Sequence, residues 1–194
     1  MGILSVLKGS GLRSPGRIRH NGKKLTEILA AHQKFIRGDE TGVRAELAGA
    51  DLSRANLPEA NLAYANLQGA NLEGALLKAA KLVSADLSKA NVRRADLRKA
   101  DLTETNLSDA DLTEAHVDGT EMFRTDLRGA ILRRASFVAA NLRYAEVRGA
   151  DFHGADLKTT ILRETNLEGV DLSGLDLSTT LLPRGYKPSN AVRN

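Results

Sequence analysis

The sequence predicts an all-β solenoid, a rod of short stacked coils, over residues 45–182. The first observation is a period of five residues, because every fifth position from Leu47 to Leu182 is apolar. The second is that a small residue, mostly Ala, stands two positions before each of these, with mostly Asp or Asn between them. The third is that a period of five fits neither a helix nor an alternating strand. We therefore expect each pentapeptide to form one short side of a coil that bends at every corner.

Within each repeat, the large apolar residue and the small residue are predicted to point inward. The large one fills the axis, and the small one lets the wall approach closely. Short repeats of this kind cannot bury an apolar face alone and must stack on their neighbours. The Asp or Asn suits a corner, because its side chain can hydrogen-bond nearby backbone groups. The last two residues of each repeat vary, and many are Gly, which accepts unusual backbone angles. A partner would recognise these variable positions.

Two repeats show the pattern clearly, Ala50-Asp51-Leu52-Ser53-Arg54 and Ala110-Asp111-Leu112-Thr113-Glu114. They resemble the pentapeptide-repeat family, whose consensus here is Ala-(Asp/Asn)-Leu-x-x. The resemblance covers residues 45–182 and is specific, because the register runs without a gap. It implies a right-handed quadrilateral β-helix in which four repeats make one coil, so the chain's 28 repeats would form about seven coils.

Residues 25–36 change to a helical period, with apolar residues and one histidine at spacings of three and four. Gly38 is a suitable stop. We expect a capping α-helix, with its connection completing residues 25–44, that covers the open end of the first coil. Without it, apolar side chains and unpaired backbone would be exposed there. Family members often carry a similar His-x-x-aromatic helix, here His32 to Phe35, which favours the same role.

The positive charge of the chain is concentrated at its ends. The net charge is +4, but residues 1–24 carry +6, the tail over 183–194 carries +3 and the repeats are acidic. The basic N-terminal extension over 1–24 is interpreted as a disordered arm or as a tether to an acidic protein, RNA or an anionic membrane. Its candidate contacts are Lys8, Arg13, Arg17, Arg19, Lys23 and Lys24. The apolar residues Ile3, Leu4, Val6 and Leu7 precede them and suit a membrane surface or a groove.

Composition argues against several classes of protein. There is no Cys, so neither disulfides nor Cys-based metal sites are expected. The four His do not cluster, and no nucleotide-binding glycine loop precedes a helix, so no cofactor is predicted. No apolar run approaches the length of a transmembrane helix, and the apolar start is short for a signal peptide. We expect a bacterial, cytoplasmic protein, either free or peripheral to a membrane or a larger complex.

Two sets of outward residues are candidate partner contacts on the walls. The first is a basic cluster for an acidic protein or a phosphate, made of Arg93, Arg94, Arg98, Lys99, Arg133 and Arg134. The alternative is a solvated wall of mixed charge, in which such pairs contribute little. The second is Phe123, which lies between Tyr64 and Tyr144 in height on another wall. The alternative is a scattered exposed apolar residue, which is normal on protein surfaces.

Two further features need interpretation. Asp96, His116 and Ser136 stand 20 residues apart in one column, and their types match a catalytic triad. A convex wall offers neither a cleft nor oxyanion donors, so we do not expect an enzyme.

Near the C-terminus, Val170 and Leu175 replace the small Ala, which predicts a widened or differently covered last coil.

The sequence favours a non-enzymatic interaction scaffold that presents a rigid rod to a protein partner, with the basic segment as a tether. The alternative is a DNA mimic that regulates an enzyme such as DNA gyrase, as the quinolone-resistance members of the pentapeptide-repeat family do. The walls depart from that pattern, because even the most acidic one totals only −3. Neither inserted loops nor a dimerising C-terminus is evident, and binding of nucleic acid by the acidic repeat body is disfavoured.

Overall fold

The computed structural model describes residues 11–187. A 3₁₀ helix (Pro15–Arg17) leads into a small antiparallel hairpin of β1 (Arg19–His20) and β2 (Lys23–Lys24). Helix α1 follows at once, from Leu25 to Ile36. The rest of the described chain forms the coils, in which isolated parallel bridges take the place of long strands.

The bridges of the coils join residues that are 20 positions apart, from Glu46–Asn66 to Ile161–Leu181. Most links use backbone hydrogen bonds in both directions. Leu47 N–H donates to Asn66 O at 2.7 Å, and Asn66 N–H donates to Ala45 O at 2.9 Å. Twenty residues per turn are four sides of five, so equivalent side chains stack in columns along the rod.

The core is one narrow column of the repeated apolar residues. Leu52 and Ala55 are fully buried, as are most of their counterparts through the rod. Phe137 and Phe152 fill the axis together, with ring centroids 6.0 Å apart. Thr replaces Ala at some small positions without leaving a buried hydroxyl unpaired, because Thr105 Oγ1 donates to Leu82 O at 2.8 Å.

The prediction that Asp or Asn forms the corner was wrong, because this residue lies two positions before the first residue of the corner. Asp51 lies at a bridge to Asn71, and its Oδ1 accepts the Ser53 N–H at 3.1 Å. The turn itself consists of the two variable residues, closed by Ala55 N–H donating to Leu52 O at 3.0 Å. Arg54 has a φ of 55° there, which is the left-handed value that the third residue of a type II turn requires. The acidic or amide side chain therefore stabilises the corner by accepting a hydrogen bond from the backbone of the turn.

Residues before α1 continue the hydrogen bonding of the first coil. Arg13 forms a parallel bridge with Ala55. Its N–H donates to Arg54 O at 2.7 Å, and its carbonyl accepts the Asn56 N–H at 2.9 Å. Ile18 is fully buried and joins the core. From Arg13 onward, the stretch interpreted as a basic extension is thus folded against the coils.

Helix α1 covers residues 25–36, the range that its sequence period indicated. Leu25 and His32 are fully buried, and Ile28 and Leu29 pack partly buried against the core. His32 Nδ1 accepts the Ala45 N–H at 3.1 Å, so the ring joins the helix to the start of the first coil. Burial lowers the pKa of His32, which keeps this ring nitrogen able to accept.

The last coil is looser on two of its sides. Among residues 11–187, Asp171 and Asp176 form no bridge to the coil below, whereas Asp151 and Asp156 do. Val170 and Leu175 stand directly before them, where other repeats have Ala or Thr. The small position sets how closely the wall approaches the axis, so larger side chains there are expected to weaken the pairing. The missing bridges set the last coil apart from the others, at the repeats where the sequence predicted a difference.

Candidate interaction surfaces

The structure brings the arginines of the basic cluster together with carboxylates. Arg93 pairs with Asp111 at 2.9 Å, and Arg98 pairs with Asp96 at 2.6 Å. The remaining pairs are Arg94–Glu114 at 2.7 Å, Arg94–Glu73 at 4.0 Å, Arg133–Asp151 at 2.5 Å and Arg134–Glu114 at 3.9 Å. Lys99 is exposed beside them at a corner with a φ of 61°. The wall alternates in charge from coil to coil.

These contacts change the chemistry of the wall. The Arg98 guanidinium hydrogen-bonds Asp96 and holds the pKa of that carboxyl below its usual range. The Arg94 guanidinium does the same to the pKa of Glu114. Both carboxylates therefore stay charged beside their arginines, and the positive field of the cluster is largely cancelled locally. This geometry supports the mixed-charge interpretation of this wall.

Phe123 lies in a compact group on another wall. Its ring meets Tyr144 edge to face, with centroids 5.4 Å apart. Arg124 lies 5.1 Å over the Phe123 ring, and Arg143 lies 5.9 Å over the Tyr144 ring. Tyr144 is 45% exposed, and Phe123 is half-buried. We call Phe123, Arg124, Arg143 and Tyr144 the aromatic–arginine patch.

The patch is held by ion pairs at both ends. Arg124 pairs with Glu104 at 3.8 Å in the coil below, and Arg143 pairs with Glu164 at 3.3 Å in the coil above. The guanidinium groups are thus kept over the rings, where cation–π attraction adds to the contact. Tyr64, 51% exposed in the first coil of the same wall, stands apart from this group.

The predicted basic residues before α1 have two different roles. Arg13 contacts the first coil, with its guanidinium 2.8 Å from Asp51. Arg17, Arg19, Lys23 and Lys24 are exposed around the hairpin. The register of the hairpin places Arg19 opposite Lys24 and His20 opposite Lys23. Lys8 lies outside the described residues.

The column of Asp96, His116 and Ser136 forms successive bridges, but its side chains do not form a relay. Asp96 is held by Arg98 through two hydrogen bonds of 2.8 and 2.6 Å. The Ser136 hydroxyl donates to Asp118 instead. Acid and nucleophile are therefore engaged by groups outside the column, and the arrangement does not fit the geometry of a triad.

Residues 11–187 carry neither a cluster of metal ligands nor a membrane-spanning helix. No three His, Asp or Glu side chains there lie close enough to hold a metal ion. No described helix has both the length and the apolar character needed to cross a bilayer.

Sequence reasoning missed two elements of these surfaces. The side-chain contacts of Arg13 at the edge of the first coil leave no periodic signal. The hairpin did leave one, because Asn21-Gly22 is the residue pair typical of a two-residue hairpin turn. Their φ values of 47° and 79° are both positive, as the type I′ turn requires.

Comparison with known structures returned pentapeptide repeat proteins from several sources. HetL from Nostoc sp. strain PCC 7120, described as involved in heterocyst differentiation regulation, is 32% identical over 61% of this chain and 62% of its own, with a TM-score of 0.43. A protein of the Arabidopsis thaliana thylakoid lumen is 29% identical over 57% of this chain and 70% of its own, with a TM-score of 0.41. The chain spans less than two thirds of the length of HetL. A search of curated proteins gave no match.

QnrB1, a plasmid-mediated fluoroquinolone resistance protein, is 22% identical over 74% of this chain and 79% of its own, with a TM-score of 0.40. A likeness at this level carries no argument about this chain. The stronger finding is that the sequence model for pentapeptide repeats matches residues 43–78, 80–119, 120–158 and 148–182. Proteins with these repeats fold as quadrilateral β-helices, which agrees with the bridges between residues 20 apart. The chain therefore belongs to the pentapeptide repeat family.

Proposed function

We propose that this protein is a non-enzymatic interaction scaffold, and that it binds a protein partner through the aromatic–arginine patch. The observation that carries the proposal is the edge-to-face contact of Phe123 and Tyr144 on an outer wall, with a guanidinium over each ring. Aromatic residues and Arg are enriched at the centres of protein interfaces, where a few of them carry most of the binding energy.

The patch is arranged before any partner arrives. The two rings contact each other, and each arginine lies over a ring and also pairs with a glutamate. Fixed side chains lose less conformational entropy on binding than free ones do. An acidic partner segment could pair with the guanidinium groups while its apolar side chains cover the rings.

The backbone beneath the patch is also well fixed. Arg124 and Tyr144 occupy the same corner position in successive coils, with φ values of 55° and 58°. The Arg124 N–H donates to Arg143 O at 3.1 Å, so the two coils are directly linked at this place. A rigid platform of this kind suits a scaffold of about seven right-handed coils.

The N-terminal end supports a capped rod. In our proposal, α1 closes the first coil through Leu25, Ile28, Leu29 and His32, which are buried or partly buried against the core. Arg13 pairs with Ala55 of the same coil through a parallel bridge. A capped end would keep the solenoid from adding further chains at that edge.

The other candidate functions gain less from the geometry. An enzyme is disfavoured because the carboxylate and hydroxyl of the Asp96–His116–Ser136 column are bonded elsewhere. A DNA mimic would need a wall with repeated free negative charge. On the wall of the basic cluster, Asp111, Glu114 and Asp151 are instead paired with arginines.

Site-specific photocross-linking in the native host tests the proposed patch. A photoreactive residue at position 123 should cross-link the partner, whereas one at Thr113 on the opposite wall should not. The double variant Phe123→Ser and Tyr144→Ser should abolish capture of that partner, and Arg134→Ala, a corner arginine on the opposite wall, should leave it unchanged. Cross-linking from position 113 alone would place the interface on the other wall and overturn the proposal.

Deleting residues 1–24 is a poor test of partner binding, because it would remove Arg13 and Ile18 from the first coil. Loss of binding after that deletion would not distinguish a lost contact from a damaged fold. Substitutions of exposed side chains keep the two effects separate.

A further inference from the structure

We propose that the hairpin of β1 and β2 binds anionic phospholipid and docks the N-terminal end of the rod on a membrane surface. This goes beyond partner binding by the walls and rests on different residues. The ligand is the negatively charged surface of a lipid bilayer, recognised through its phosphate and carboxylate groups.

The hairpin places two like charges on opposite residues. Arg19 is paired directly with Lys24, and Lys23 lies opposite His20. Like charges on directly opposite residues destabilise an antiparallel pair. The turn over Asn21 and Gly22 fixes them nonetheless, helped by the Arg19 guanidinium, which donates to Gly22 O at 3.1 Å. An arrangement that opposes folding is expected where the charges serve a ligand.

The charges of the hairpin are also uncompensated. Within residues 11–187, none of Arg17, Arg19, Lys23 and Lys24 forms an ion pair. The wall cluster is different, because its five arginines all have carboxylate partners. The nearest acid along the chain, Glu27, accepts the backbone N–H of Lys24 at 3.0 Å. Four cations within eight residues therefore remain available to an external anion.

An apolar groove lies beside the cations. Lys23 and His20 line it together with Glu27, Ile28, Ala31 and Val43, and Val43 is 58% exposed. The Glu46 carboxylate on its rim is already taken by Arg44 at 2.7 Å. Basic side chains next to exposed apolar ones are the composition of membrane-surface segments, which combine attraction to anionic lipid with burial of apolar area.

The sequence near the hairpin favours lipid over nucleic acid. Sites for single-stranded nucleic acid combine cations with Phe, Tyr or Trp for base stacking, and residues 17–24 contain none of these. The exposed Val43 of the neighbouring groove instead supplies apolar surface that a lipid boundary can bury.

Vesicle co-sedimentation of the full chain tests the proposal. The wild-type chain should bind vesicles of phosphatidylcholine with phosphatidylserine, lose binding as salt is raised, and ignore vesicles of phosphatidylcholine alone. The triple variant Arg17→Gln, Lys23→Gln and Lys24→Gln should bind about a hundredfold more weakly, because each basic residue near such a surface contributes a severalfold gain. Thermal unfolding should be the same for the variant and the wild type.

The matched control is Lys78→Gln, Lys81→Gln and Lys89→Gln, which removes the same charge from exposed positions on the coils. It should keep wild-type affinity. Four outcomes would each overturn the proposal. The two triple variants could weaken binding equally, or the wild-type chain could bind neutral vesicles equally well. The chain could also bind no vesicles at all, or bind an RNA oligonucleotide more strongly. The aromatic–arginine patch is intact in both variants, so failure here leaves the partner-binding proposal to its own test.

Discussion

The guanidinium of Arg13 and the carboxylate of Asp51 meet at 2.8 Å on the edge of the first coil. The same guanidinium donates to Ser53 O at 3.2 Å and to Ser53 Oγ at 3.1 Å. The backbone of Arg13 meanwhile pairs with Arg54 and Asn56. An open coil edge otherwise presents unpaired backbone groups, which invite pairing with other chains. One residue thus satisfies several groups on this side of the coil.

Replacing Arg13 should therefore destabilise the fold. We expect Arg13→Ala to lower the free energy of unfolding by about 1–2 kcal/mol, mainly through the lost charged hydrogen bonds to Ser53. The ion pair itself adds little, because both partners are partly exposed. Urea denaturation measures the change. Arg17→Ala, an exposed position with no ion pair among the described residues, should change stability by less than about 0.5 kcal/mol. Equal losses of stability in the two variants would show that Arg13 has no special role at the edge of the coil.

A glycine after α1 should be more sensitive than those at the corners. A Cβ at Gly42 would overlap the backbone N and Cα of Phe35, so the connection would have to move away from the helix. We expect Gly42→Ala to cost about 3 kcal/mol of unfolding free energy. Gly49→Ala is the control, because its Cβ would meet nothing and only its φ of 66° is unfavourable, at about 1 kcal/mol. Thermal melts test this, and a lower melting temperature for Gly49→Ala than for Gly42→Ala would contradict it.

The period of five was sufficient to predict the core, because burial depends only on which residues face the axis. It assigned Leu52 and Ala55 to the interior, and both are fully buried. It could not place the corner, because an Asp side chain that accepts a hydrogen bond from two residues ahead fits both a corner and the straight segment before it. In the structure, Asp51 lies at a bridge and not at the corner.

Contacts that break the period were not predictable. Arg13 bridges to Ala55 without any repeat that relates them. The wall columns did place Phe123 and Tyr144 on one wall, but the edge-to-face contact depends on rotamers that the sequence does not specify. The Asn21-Gly22 turn was present in the sequence as a recognisable hairpin signal.

Hydrogen exchange should show the looseness of the last coil. Asp151 N–H donates to Ala130 O at 2.9 Å, and Asp156 N–H donates to Ala135 O at 3.0 Å. Within residues 11–187, the amides of Asp171 and Asp176 have no such acceptor. We expect the latter two amides to exchange at rates close to those of an unfolded chain, and the former two to be strongly protected.

The cause of that looseness can be tested separately. Val170→Ala together with Leu175→Ala should let the wall approach the axis and slow exchange at Asp171 and Asp176. Val117→Ala, at a fully buried core position, serves as the control and should leave these two amides fast. If the double variant does not slow them, side-chain size is not what holds the last coil open.

Acid should destabilise the protein through carboxylates at the bridge positions. Hydrogen bonds from Arg98 and Arg128 hold the pKa of Asp96 and of Asp126 below the usual range. A carboxyl with a lowered folded pKa stabilises the fold above its unfolded value of about 3.9, and this contribution is lost as the pH falls through the folded pKa. The melting temperature should thus stay level from neutral pH to about 5 and fall below about 4. Asp96→Asn with Asp126→Asn should lower the melting temperature at neutral pH and flatten the acid limb, and Arg98→Gln with Arg128→Gln should do the same. An unchanged acid limb in both variants would show that other groups govern acid unfolding.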